Sequence, residues 1–354
     1  MIKYLGSKRT LLPAILAAVG DVPEAASVLD IFSGTSRVGH ALKARGYRVY
    51  ANDHNAYAAC LARCYVQADA EDVAHEAKQL IDEFNTLPGA PGYFTEHYSL
   101  QARFIHPANG ERIDAIREAI AARALDPELE SVVLTSLLEA ADRVDSTTGV
   151  QMAYLKSWAK RARNPLHLRL PALLPRAPGG KGAATCLEAL DAAARFDADI
   201  AYLDPPYNQH SYLGNYHVWE SLVRWDKPPV YGVACKRIDC RERRSPFNSR
   251  RSCEEALLKL LRAVRARTLI ISFNNEGYMQ RDRMERLLES FDPDAERTVI
   301  EHDYPRYVGA RIGIYNPRGE KVGAISHVRN REYLYVIKRS MRSGVYAAPA
   351  ASTA

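Results

Sequence analysis

Apolar residues follow two spacings along this chain, and the changes between them divide it into three stretches. Up to about residue 56 the pattern predicts a strand at 27–32, a helix at 37–45 and a strand at 47–52. Gly46 directly follows the predicted helix, at the position where glycine ends helices most readily. This order predicts a β-α-β unit with parallel strands and a right-handed crossover.

The middle stretch, residues 57–182, is rich in Ala and Leu at helical spacing. Helices are predicted at 70–84, 112–124 and 127–143, and almost nothing there has the pattern of a strand. The stretch closes with a basic segment broken by prolines, 156–181, and with Gly179, Gly180 and Gly182. Such a composition is typical of a boundary or a surface loop.

Strand and helix patterns alternate again after residue 183. Strands are predicted at 200–203, 268–273, 297–302 and 333–337, and helices at 216–225, 252–265 and 278–290. We therefore expect one α/β sheet domain built from residues 1–56 and 183–340. A mostly helical insertion, 57–182, interrupts it, and residues 341–354 form a flexible tail.

Composition places the chain among ordinary globular proteins. Its 354 residues are 47% hydrophobic and 25% charged, and the net charge of +6 permits a nucleic-acid partner without requiring one. No run of eighteen apolar residues or signal peptide is present, so we expect a cytoplasmic protein without a membrane partner. Cys60 and Cys64, one helical turn apart, fit buried thiols better than a metal site.

The most informative motif is Asp204-Pro205-Pro206-Tyr207, directly after the predicted strand 200–203. Ligands of open α/β sheets bind at this end of the strands. A carboxylate and a proline carbonyl can each accept one N–H of a flat amino group and so localise its lone pair. Both bonds strengthen as that nitrogen gains positive charge, while Tyr207 supplies a surface for stacking. The motif therefore suits catalysis at the exocyclic amine of a nucleic-acid base.

Two earlier motifs fit a nucleoside cofactor. Gly34, in Phe32-Ser33-Gly34-Thr35-Ser36, follows a strand and precedes a helix, so the backbone can approach a ligand closely. Asp53 ends the next strand, where an acid accepts hydrogen bonds from ribose hydroxyls. At the N-terminus, the lysines of Lys3–Lys8 flank Tyr4 and Gly6, an arrangement that can hold a carboxylate and cover an adenine.

Taken in this order, the motifs resemble the Dam-like (α-class) amino-methyltransferases, which use S-adenosylmethionine and mostly methylate adenine N6 in DNA. The resemblance implies a Rossmann-like methyltransferase sheet, with the helical insertion as the target-recognition region. It also implies that Tyr4, Lys8, Asp53 and Asp204 contact the cofactor or the catalytic centre. Residues expected to bind the cofactor are Tyr4, Lys8, Phe32, Gly34, Asp53 and Glu188.

Two positions depart from the family pattern. Ser36 stands where the family has a second glycine, and a small serine still tolerates the turn. Glu188 is matched by position to the family's acid that contacts the cofactor adenine, and an acid on a surface helix is the alternative interpretation.

Basic clusters supply candidate DNA contacts. A loop after the Asp204 motif contains many cations, and we expect Arg237, Arg241, Arg243 and Arg244 to bind phosphate. A second run contributes Lys160 and Arg161, together with Tyr154, Lys156 and Trp158. A third run is 306–311. The polar, aromatic segment 208–216 is expected to cover the flipped base.

The sequence thus predicts an enzyme that transfers a methyl group from S-adenosylmethionine to N6 of a flipped adenine in a specific double-stranded DNA sequence. No metal or covalent intermediate is needed. Cytosine N4 or an RNA base remains an alternative acceptor, and a DNA-binding module without catalysis is a further alternative. Protein glutamine methylation uses a related motif that begins with Asn, so Asp204 disfavours it. A cognate restriction endonuclease is a possible partner.

Overall fold

The structure is a computed structural model that describes residues 1–152, 155, 157–305, 314–315, 321–323 and 329–340. Helices and strands alternate over most of them. In chain order they are α1 (Leu12–Gly20), β1 (Ser27–Asp30), α2 (Arg37–Ala44), β2 (Arg48–Asn52), α3 (Ala56–Ala62), α4 (Ala70–Thr86), α5 (Pro107–Ala122), α6 (Pro127–Arg143), β3 (Ala183–Thr185), α7 (Ala189–Arg195), β4 (Asp197–Leu203), α8 (Tyr212–Asn215), α9 (His217–Arg224), β5 (Val230–Tyr231), β6 (Lys236–Arg237), α10 (Cys253–Ala263), β7 (Arg265–Asn274), α11 (Arg281–Phe291), β8 (Glu296–Pro305), β9 (Ile314–Tyr315), β10 (Lys321–Gly323) and β11 (Arg329–Lys338).

A seven-stranded sheet in the order β3-β2-β1-β4-β7-β11-β8 forms the centre of the fold. The pairs β2–β3, β1–β2, β1–β4 and β4–β7 are parallel. Strand β11 lies between β7 and β8 and is antiparallel to both. This mostly parallel sheet confirms the predicted Rossmann-like α/β fold.

The strand order reverses beside β1, and this position locates the site. From β1 the sheet extends to β2 on one side and to β4 on the other. A crevice forms at such a switch point, beyond the carboxyl ends of the strands. Asp30, Asp53 and Asp204 lie at the ends of β1, β2 and β4, so the topology gathers three acids at one edge.

Alternating side chains bury both faces of the sheet. Val28 and Ile200 pack on one face in a cluster with residues of α1 and α2. Leu29 and Ala201 pack on the other face with residues of α7, α10 and α11. Because each fully buried Leu, Ile or Val contributes about 1.5–3 kcal/mol, the two layers hold the acid-bearing edge firmly.

The helical segment between β2 and β3 has a hydrophobic cluster that is not confined to it. Ile2, Tyr216 and Trp219 pack in the same cluster as the helices α3 to α6. Val66, in a π-helical turn at Arg63–Gln67, packs instead with the core of the sheet. The start of the segment therefore contacts the sheet, and the division into two domains stays a prediction.

Most predicted elements are confirmed within a few residues. Helix α6 has the predicted bounds, because Asp126 accepts a hydrogen bond from the Glu128 N–H and Pro127 opens the first turn. The predicted helix 216–225 is confirmed as α9, and the short helix α8, which ends before Tyr216, was not predicted. Strand β3, of three small residues, and helix α3 were not predicted. No helix among the described residues is long and apolar enough to cross a membrane.

Candidate active site

Lys8 is buried between two carboxylates at the edge of the sheet. Its Nζ lies 3.0 Å from Oδ1 of Asp204, at the end of β4, and 2.5 Å from Oε1 of Glu332, on β11. The Ser272 hydroxyl donates to the same Glu332 oxygen at 2.8 Å. Among the described residues, none donates a hydrogen bond to Oδ2 of Asp204. This lysine-centred triad therefore has one cation, two carboxylates and a free acceptor.

Burial governs the charge of the acids in this region. It raises the pKa of Asp204 to about 6, and the charge of Glu332 acts in the same direction while Lys8 opposes both. Burial also raises the pKa of Asp30 well above its ordinary value, with contributions from Asp204 and Asp53. At neutral pH Asp204 is mostly ionised, whereas burial favours a proton on Asp30.

The rest of the Asp204 motif is held by backbone and aromatic contacts. Pro205 is buried, and the carbonyl of Tyr207 accepts a hydrogen bond from the Tyr278 N–H at 2.9 Å. The Tyr207 ring meets Phe273 edge to face at 5.9 Å between centroids. Gly277 leaves room for this pair, because a Cβ there would lie 2.6 Å from Cε1 of Phe273. The tyrosine therefore rests on the end of β7.

Tyr4 forms a wall next to the glycine loop. Its ring stacks between Tyr212 and Tyr216, at 5.2 and 4.7 Å between centroids. Gly34 has φ +51°, and a Cβ there would lie 3.2 Å from Cε1 of Tyr4. The Gly34 N–H donates to Oδ2 of Asp53 at 3.0 Å. A conformation that favours glycine thus joins the N-terminal motif to the end of β2.

One cleft collects most of the predicted residues. About 970 Å³ of space free of protein atoms, including space open to solvent, lies in it. The residues predicted to bind the cofactor or to act in catalysis that line it are Tyr4, Lys8, Phe32, Gly34, Asp53, Glu188, Asp204 and Pro206. Pro205 and Tyr207 do not line it. We name this cleft the cofactor cleft after the role predicted for its residues, and the triad lies where it meets the Asp204 motif.

Polar groups in the cofactor cleft fit a nucleoside that carries an amino acid. The hydroxyl of Ser33 and both carboxyl oxygens of Asp30 are buried without hydrogen-bond partners among the described residues. Unsatisfied buried groups cost free energy, so they favour a polar ligand beside them. Glu188 lies at the rim, just before α7, with its side chain 70% exposed and 3.6 Å from Nδ1 of His54.

The position of Arg237 corrects its predicted role. Its side chain is only 1% exposed, and its guanidinium forms two hydrogen bonds of 2.7 Å to Asp226. Asp239 also accepts from it. A guanidinium fully engaged inside the protein does not face a DNA phosphate, so Arg237 stabilises the β5–β6 hairpin instead.

Arg243, in the basic loop, is half-buried at the cofactor cleft and is less exposed than its neighbours Arg241 and Arg244. It lines the cofactor cleft, pairs with Glu220 at 2.9 Å and donates to the His54 carbonyl at 2.6 Å. Asn248 ties the same loop to the segment after the Asp204 motif through hydrogen bonds to the Asn208 and His210 carbonyls. The basic loop thus closes the cleft on one side.

Other predicted DNA contacts remain at the surface. Arg241 is exposed and stacks on Tyr231, 4.0 Å from the ring centroid, and Arg244 and Lys160 are also exposed. Arg161 is half-exposed and pairs with Asp145 at 2.8 Å. Tyr154, Lys156 and the run 306–311 lie outside the described residues.

Three residues of the site, Glu332, Asp30 and Asn248, were not predicted from the sequence. Glu332 lies in an alternating strand pattern, where an inward-facing acid is the only local signal of a special role. Asp30 also ends a strand, directly before the glycine loop, and could have been found from the same signal as Asp53. Nothing in the sequence around Asn248 indicates a role in the site.

Together, the mostly parallel sheet and the cleft at its switch point are consistent with the class of Rossmann-like methyltransferases. Comparison with known families agrees: residues 4–277 match the model of the D12 class N6 adenine-specific DNA methyltransferases. The chain belongs to this family.

Several relatives are modification enzymes. The chain is 28% identical over 354 residues to the type II methyltransferase M.NlaIII of Neisseria lactamica, a match covering 96% of this chain and 100% of that protein. It is 27% identical over 327 residues to the modification methylase StsI of Streptococcus sanguinis, covering 88% of this chain and 50% of the relative. A third relative, M.FokI of Planomicrobium okeanokoites, is 27% identical over 329 residues, and the match covers 86% of this chain and 50% of that protein. The chain thus spans about half the length of StsI and M.FokI.

Proposed function

We propose that this protein transfers a methyl group from S-adenosylmethionine to N6 of an adenine in a specific double-stranded DNA sequence. The observation that carries the proposal is the position of Lys8. This single residue lines the cofactor cleft and binds the carboxylate of the Asp204 motif. Methyl donor and amino group would therefore meet at one point of the sheet edge.

The cofactor cleft supplies contacts for each part of the donor. Asp53 accepts from ribose hydroxyls, the Gly34 loop admits the ligand close to the backbone, and Tyr4 and Phe32 provide apolar walls. Glu188 reaches the adenine from the rim. The bound cofactor supplies an electrophilic methyl group on a sulfonium.

The triad prepares the target amine. Lys8 occupies Oδ1 of Asp204, which leaves Oδ2 to accept one N–H, while the Pro205 carbonyl accepts the other. With one cation and two carboxylates, the triad has a net charge of −1, which stabilises the positive charge that develops on nitrogen. Tyr207 stacks on the base after it leaves the duplex.

Residues 57–182 are the proposed target-recognition region, and the segment 208–216 covers the base. Arg241, Arg244, Lys160 and Arg161 are the proposed phosphate contacts, with Arg243 at the rim of the cleft. Relatives named as modification methylases support a place in a restriction–modification system, with a cognate endonuclease as partner. Such a role is carried out in the cytoplasm.

A tritium-transfer assay with unmethylated DNA, followed by mass spectrometry of the nucleosides, tests this proposal. N6-methyladenine is the expected product, and Asp204→Ala should lower kcat about 10²–10³-fold. Asp197→Ala, which removes an exposed acid at the opposite end of β4, is the matched control and should keep full activity. N4-methylcytosine as product would show that cytosine, and not adenine, is the acceptor. Full activity of Asp204→Ala would refute the proposed role of Asp204 in catalysis.

A further inference from the structure

Two arginines near the cofactor cleft have charges that the described residues do not neutralise. Arg37 begins α2 and is half-buried, and its Nε is buried without a hydrogen-bond partner. Burial lowers the pKa of Arg37, and the neighbouring charge of Arg9 lowers it further. No described carboxylate forms an ion pair with either guanidinium. Two adjacent cations, one of them partly desolvated, favour an anion beside them.

Their surroundings show where such an anion would enter. Arg9 and Arg37 line a second cleft with Lys3, Thr147 and Arg161, and no acid is among its lining residues. Lys3 and Arg161 already pair with Asp145. This basic cleft shares Arg37 with the cofactor cleft, so the unpaired cations lie where the two meet.

We propose that Arg9 and Arg37 form a phosphate site for the DNA strand that carries the target base. This inference rests on the proposed function, since it requires a DNA substrate. Base flipping rotates a nucleotide about its backbone, so the adjacent phosphates must pass the mouth of the base pocket. Two guanidiniums offer several donors to one phosphate and release counterions when it binds.

The anion could come from a DNA phosphate or from the carboxylate of the cofactor, because Arg37 also lines the cofactor cleft. The two sources predict different measurements. A phosphate site affects the Michaelis constant for DNA and its dependence on salt, whereas a carboxylate site affects the affinity for S-adenosylmethionine in the absence of DNA.

The experiment compares wild type with Arg9→Gln, Arg37→Gln and the double variant. Methylation of unmethylated DNA is measured over a range of salt, and calorimetry gives the affinity for S-adenosylmethionine. In the double variant we expect kcat/KM for DNA to fall at least about tenfold and its log–log salt slope to decrease by about 1. Cofactor affinity and melting temperature should not decrease.

Arg262→Gln, which removes an exposed arginine from the last turn of α10, controls for net charge and should leave the slope unchanged. If the slope is unchanged in the double variant, or if only cofactor affinity weakens, the phosphate site is overturned while the methyltransferase proposal stands. A wild-type protein that binds the cofactor but neither binds nor methylates DNA would overturn both.

Discussion

Glu332 should influence the pH at which the enzyme becomes active. Its carboxylate and that of Asp204 both bind Nζ of Lys8, at 2.5 and 3.0 Å, so the two acidic oxygens are at most about 5.5 Å apart. At an effective dielectric constant of 20, their repulsion amounts to about 3 kcal/mol, or about 2 pH units. Because Lys8 lies between them and screens them, we expect about half of this effect.

Glu332→Gln removes the charge and keeps the shape. In wild type the pKa of Asp204 is raised to about 6, so activity that needs the ionised carboxylate is present above that pH and is lost as pH falls through it. Without the neighbouring charge the pKa of Asp204 decreases. The acid limb of kcat should therefore move to lower pH by about 1 unit, while the plateau near pH 8 stays close to that of wild type.

The groups that face Asp204 are Lys8, Glu332, Asp30, Tyr202 and the tyrosines of its own segment. Lys8 and the tyrosines do not change charge near pH 6. Ser272→Ala is the matched control, since it removes the hydrogen bond to Glu332 but leaves both charges, and it should leave the limb in place. An unchanged limb in Glu332→Gln would refute the reasoning.

Three further substitutions test other parts of the site. Gly34→Ala places a side chain at φ +51° against the Tyr4 ring, so calorimetry should show about tenfold weaker binding of S-adenosylmethionine; equal affinity would contradict the close approach. Gly277→Ala crowds the aromatic contact between Phe273 and Tyr207, so kcat should fall while cofactor affinity, measured in parallel, stays the same. Arg237→Ala removes the buried partner of Asp226, which keeps only its ion pair with Arg224, and should lower the free energy of unfolding in urea by about 2–3 kcal/mol; wild-type stability would show that the buried pair is dispensable.

Local signals explain which parts of the fold could be predicted. Helix α6 has an N-terminal cap, a proline in its first turn and apolar residues at helical spacing, so one segment contains all the needed information. Strand β3 has only Ala183, Ala184 and Thr185, and it becomes a strand because β2 offers an edge to pair with. No pattern within three small residues indicates such a partner.

The same distinction applies to the site. The Asp204 motif and the Gly34 loop are continuous in sequence and could be assigned a chemistry from their residues. The partners of Glu332 come from β7 and from the other end of the chain, so its role depends on the fold. Arg237 resembled its exposed neighbours, and its burial follows from an ion pair with Asp226 that local composition does not predict.

The position of β11 has a consequence for synthesis on the ribosome. Strand β8 leaves the ribosome before β11. In the folded sheet, however, β11 lies between β7 and β8 and pairs with both. Until β11 is inserted, the edge of β7 lacks its neighbour and Lys8 lacks one of its two carboxylates. A nascent chain therefore holds most of the residues of the cofactor cleft before it holds a complete triad, and the triad is assembled only when β11 pairs with β7.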